Sequence, residues 1–112
     1  MTSNIKRKVY IPNLASHDFS AAEKYGELVF VTKGHQNRYS IDDKTRAWAR
    51  ALKGSNPEDC IVVSSYSHLV AVGCAMFAVK HGRLNLLLYQ DNKYILREAL
   101  LRQALEAEEA NE

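Results

Sequence analysis

Apolar and polar positions along the chain alternate between two kinds of block. Val9-Tyr10-Ile11, Leu28-Val29-Phe30-Val31, Cys60-Ile61-Val62-Val63 and Leu84-Asn85-Leu86-Leu87-Leu88-Tyr89 are nearly unbroken apolar runs, the form taken by strands buried on both faces. Pro12-Asn13 stops the first and Thr32-Lys33-Gly34 the second. Between the runs the spacing turns helical. Ala21, Ala22 and Tyr25 predict a short helix, capped by Asp18 or Ser16 and closed by Gly26. Ile41, Thr45, Trp48 and Leu52 form a stripe opened by Ser40-x-x-Asp43, which has the form of a capping box, and Gly54 with Asn56-Pro57 ends it. Trp48 reads as a core anchor, and the basic residues around it as solvated.

The stretch Cys60–Val79 holds no Asp, Glu, Lys or Arg. It predicts a strand through Ser64, a polar corner Ser64-Ser65-Tyr66-Ser67-His68, and a helix from Tyr66 to His81 ended by Gly82. After the fourth run, Asp91-Asn92 predicts a turn, with Lys93–Arg97 returning as an antiparallel edge strand and 98–112 as an acidic helical tail. One long helix from Asp91 to Ala110 is the alternative. Strands alternating with helices predict an α/β fold: a single domain over residues 1–112, with a mostly parallel sheet of four or five strands. The expected type is a small three-layer Rossmann-like or flavodoxin-like domain.

In such a sheet ligands bind beyond the carboxyl ends of the strands, where loops meet helix N-termini. The residues expected there are Asn13 and His17 after the first strand, Lys33, His35 and Arg38 after the second, and Ser64, Ser65, Ser67 and His68 after the third. Donors and bases outnumber carboxylates, which suits a phosphate better than a divalent cation. No metal site or cofactor is expected. The leading functional expectation is binding, by sensing or sequestering, of a phosphate-bearing small molecule, nucleotide or short oligonucleotide. The alternative is an oligomerising interaction protein that binds or inhibits a macromolecule without a small ligand. A third is nucleic-acid binding or metal-free phosphodiester cleavage.

Composition narrows these classes. Formal net charge is only +2, so nucleic acid through Lys6-Arg7-Lys8 is not favoured. No Walker loop, GxGxxG, GxSxG or HExxH is present, which leans the reading away from catalysis. Cys60 and Cys74 sit in apolar runs and match no zinc spacing. The apolar helix covers about 14 residues, short of the roughly 20 that cross a bilayer. With no leader pattern in sight, a cytoplasmic location is expected. The Tyr66–His81 helix is apolar almost all round, with Leu69, Val72, Met76 and Val79 on one side and Ala71, Cys74, Ala75 and Ala78 on another. Its second side needs cover, from the tail or from a second subunit, so a homodimer through helix 66–81 is expected.

Overall fold

The computed structural model describes residues 7–37 and 39–111. Strand β1 (Lys8–Leu14) sits near the centre of one five-stranded sheet. Strands β2 (Glu27–Lys33), β3 (Cys60–Val62), β4 (Leu84–Gln90) and β5 (Lys93–Ala99) complete the order β2-β1-β3-β4-β5. The first four strands are parallel, while β5 pairs antiparallel with β4 from Leu84↔Ala99 to Gln90↔Lys93. The turn between them places Asp91 and Asn92 at φ 53° and 66°, the twist a two-residue hairpin demands. The hairpin therefore forms, and the single long helix does not.

Alternation along each strand splits the core in two. Val9, Ile11, Cys60, Val62, Leu87 and Tyr94 face one side; Tyr10, Ile61, Leu84 and Leu86 face the other. Helices α1 (Ile41–Ala51) and α2 (Ser67–His81) cover the second side. They meet where the Trp48 indole packs over Gly73, and Trp48 Nε1–H donates to the Leu69 carbonyl at 2.9 Å. Among the described residues the first side carries only a 3-10 helix, Ser20–Tyr25, which packs Phe19, Ala22 and Tyr25 onto the sheet. The Tyr25 hydroxyl donates to the Tyr94 carbonyl at 2.7 Å.

This architecture corrects the expected three-layer Rossmann-like or flavodoxin-like domain. The α/β class holds, but the sheet is mixed. A doubly wound fold needs a helical layer on each face; among the described residues, six residues of 3-10 helix stand where that second layer would be, and the last strand, β5, joins the sheet antiparallel. The tail is shorter than expected as well. Glu98 and Ala99 belong to β5, and helix α3 runs from Leu101 to Ala110.

Side-chain placement revises three smaller expectations. The buried stripe of α1 is Lys44, Ala47, Trp48 and Leu52; Ile41 and Thr45 are exposed. Lys44 is only 2% exposed, and its ammonium donates to the Asn37 and Ser40 carbonyls. Ser40 and Asp43 bond one another rather than the helix backbone, so no capping box forms. His81, in the last turn of α2, lies against Ser55 Oγ at 2.8 Å, and burial lowers its pKa.

At the N-terminal edge of the parallel strands, buried Asp59 accepts from the Lys8 N–H at 2.9 Å, the Asn56 N–H at 2.8 Å and the Tyr10 hydroxyl at 3.3 Å. Burial, reinforced by the Asp59 charge and hydrogen bond, pushes the Tyr10 phenol far up. Burial also pushes the Cys60 thiol from its ordinary 9.0 to about 12 and raises Tyr94. Above pH 9 the unfolded chain releases the Cys60 proton while the folded chain keeps it, so stability falls with rising pH. The tyrosines act in the same sense from their ordinary value near 10 upward. The urea midpoint should therefore be flat from neutral pH to about pH 9 and then drop steadily; a midpoint that rises or stays level would contradict this burial.

Candidate functional site

The connection leaving β1 goes to the 3-10 side of the sheet and the one leaving β3 goes to the α-helical side. Such a divergence opens a crevice at the C-terminal edge of the strands. Two loops frame it on the helical side. The β2–α1 loop supplies His35, Gln36, Asn37 and Tyr39, and the β3–α2 corner supplies Tyr66; together they line a cleft of about 390 Å³. Local bonds shape the first loop: Gln36 Nε2 donates to the Lys33 carbonyl at 2.8 Å, and the Asn37 side chain accepts from the Tyr39 N–H at 2.9 Å. The buried Lys44 ammonium pins the same loop from beneath through the Asn37 carbonyl. Tyr39 is 85% exposed, so its ring stands open to a ligand.

At the opposing corner Tyr66 occupies the N-cap position of α2, and among the described residues no side chain caps that helix. Ser64 is half-buried, while Ser65 and Ser67 are exposed. Ser65 has φ 111°, a conformation a side chain seldom adopts. The His68 ring lies 5.4 Å from the Tyr66 ring, centre to centre. The start of α2 and the residues just before it thus carry backbone N–H groups, a partial positive charge, the exposed Ser65 and Ser67 hydroxyls and the Tyr66 and His68 rings, and of these side chains Tyr66 lines the cleft.

Other predicted positions lie apart. Asn13 is buried: its amide donates to the Gly34 carbonyl at 2.8 Å, and its oxygen accepts from the Thr32 hydroxyl at 2.7 Å. It ties β1 to β2 and is not presented to a ligand. His17 sits on the other side of the sheet, 4.7 Å from the Phe19 ring and 6.0 Å from the Tyr89 ring. There it borders a groove of about 840 Å³ formed by the 3-10 helix and β2, together with Tyr25, Leu28 and Phe30. Lys33 is exposed at the end of β2, and Arg38 lies outside the described residues. Sequence reasoning passed over Tyr39 and Tyr66 as ligand-facing groups and read Lys44 as solvated; the two tyrosines flank the named polar residues directly.

Among the described residues no group of three or more His, Cys, Asp or Glu is placed to hold a metal ion, and no helix is long and apolar enough to cross a membrane. Burial raises both thiols, Cys60 and Cys74, away from the reactive thiolate form. A family model described as phage Pam3 gp32-like protein matches residues 7–101, which spans all five strands and both packed helices. The chain belongs to that family. Comparison with curated proteins and with solved structures gives no match. The family's span stops at the first residue of α3, so the matched region contains the cleft in full and leaves the acidic helix outside it.

Proposed function

We propose that the chain binds a phosphate-bearing small molecule, a nucleotide or a short oligonucleotide in the cleft between the β2–α1 loop and the start of α2, and does so from the cytoplasm. The observation that carries this reading is the meeting of Tyr39, Tyr66 and His35 around a 390 Å³ cleft at the uncapped N-terminus of α2. A cleft of that size falls within the range of small-ligand sites. The phosphate would take the helix N–H groups with the Ser65 and Ser67 hydroxyls, and a base would stack on the tyrosine rings. His35 supplies a donor along the cleft wall. The family's description speaks of a phage protein and names no ligand, so support comes from the geometry alone.

A thermal-shift series with nucleoside mono- and triphosphates, cyclic dinucleotides and short oligonucleotides tests it. A ligand at roughly 100 times its dissociation constant adds about 2.7 kcal/mol, several degrees for a chain of this size. Stacking on one ring is worth about 1–3 kcal/mol, so Tyr39→Ala should weaken binding by about tenfold or more without altering the unliganded melting temperature. Absence of any shift across the series, or an undiminished shift in both Tyr39→Ala and Tyr66→Ala, would overturn the reading. The competing reading, an interaction protein without a small ligand, is favoured by one feature: a helix that the fold leaves largely uncovered.

A further inference from the structure

That helix is α3. It has no buried residue, and Leu105 is 65% exposed. It stands beside the C-terminal end of α2, joined there by the Arg102 N–H to the Gly82 carbonyl at 3.2 Å. Between the two helices runs a groove of about 460 Å³ walled by Ala78, Val79, Leu101 and Leu105, and Val79 is 83% exposed. On the α2 side the small side chains Ala71 and Ala75 continue the open apolar surface. The tail thus leaves uncovered the very face of α2 that lies away from the sheet and from Trp48.

The charges on α3 run against its own dipole. Arg102 lies in the first turn, Glu106, Glu108 and Glu109 lie toward the end, no acid occupies the first turn and no base the last. Favourable placement is the reverse, with acids at the start and bases at the end. At 10 residues the helix is also shorter than those that persist alone in water. A helix so charged is matched by an antiparallel copy of itself, where each basic start meets an acidic end and the dipoles oppose.

We propose that the α2–α3 groove is the interface of a two-fold symmetric homodimer, with α3 of each copy seated antiparallel in the groove of the other. An axis near Leu105 and Glu106 sets Arg102 of one copy opposite Glu109 of the other, and the symmetry makes this pairing twice. The same axis brings the two Leu105 side chains together over Val79. Arg102 is placed for this, because its guanidinium already lies along the groove over Gly82. The proposal does not depend on the ligand cleft, which opens at the other end of α2.

Sedimentation velocity on the full chain over a dilution series reads the assembly directly. The expected result is a dimer that dissociates reversibly to monomer on dilution. Leu105→Glu, on an exposed position, should run as a monomer with the sheet's thermal transition unchanged. Arg102→Glu and Glu109→Arg should each weaken the dimer several-fold, and the double variant should restore it. A wild-type chain that is monomeric at every concentration overturns the proposal. So does a dimer indifferent to Leu105→Glu, a charge exchange that fails to restore association, or a monomer whose α3 is covered only when lipid vesicles are added.

Discussion

Replacing Trp48 with alanine is expected to lower the unfolding free energy by about 3–5 kcal/mol, among the largest losses a single substitution in this chain can produce. The indole is fully buried at the centre of the α1–α2 contact, against Tyr10 at 6.3 Å between ring centres. Removing it leaves a cavity lined by both helices and the sheet, and it deprives the Leu69 carbonyl of its indole donor. Gly73 sharpens the point. A Cβ built there would fall 2.2 Å from Trp48 Cζ2 and 2.3 Å from Cε2, closer than any real contact. Gly73→Ala should therefore force the two helices apart in the native chain, at about 1–3 kcal/mol or more. In the Trp48→Ala background the added methyl meets space, so the same change should cost little there. A double-mutant cycle in urea measures that coupling. Additive effects would mean that the ring and the glycine do not share the space described.

Loss of the Asp59 carboxylate should rank next. Asp59→Ala strands the Lys8 and Asn56 N–H groups and the Tyr10 hydroxyl, all drawn to one fully buried side chain. Each unsatisfied buried group costs about 1–3 kcal/mol, with water recovering part of it near the surface, so a loss of about 3–5 kcal/mol is expected. Tyr10→Phe removes one donor and leaves the rest, and should cost about 0.5–1.5 kcal/mol. It should also delete the Tyr10 share of the alkaline instability, because the phenol that burial and Asp59 hold in its neutral form is gone. Urea denaturation of the two variants in parallel decides this. An Asp59→Ala loss no larger than that of Tyr10→Phe would show that water replaces the carboxylate and that the network is not structural.

The edge on which the candidate loops emerge was legible from the pattern of runs, because position along a parallel strand decides which edge its connecting loop occupies. His35 and the Ser64–His68 corner emerge on the edge expected of them. The pairing of His35 with Tyr66 was not legible. It depends on β1 lying between β2 and β3, which sets two loops some thirty positions apart across a single strand end. Asn13 and Lys44 mislead for a related reason: type and spacing mark a polar side chain, yet neighbouring backbone carbonyls decide whether burial satisfies it. The α1 stripe turned by about one residue because Lys44 finds acceptors in the β2–α1 loop while Ile41 meets solvent.

By itself the amino-acid order determined the strands, the helix-forming segments and the Asp91-Asn92 hairpin, since hydrophobic period and turn chemistry act over a few neighbouring residues. Whether a second helical layer covers the sheet was a tertiary matter, settled by which faces found partners at long range. The same holds for α3. Local propensity makes it a helix, but only the packing around it leaves Leu105 and its reversed charges open to solvent.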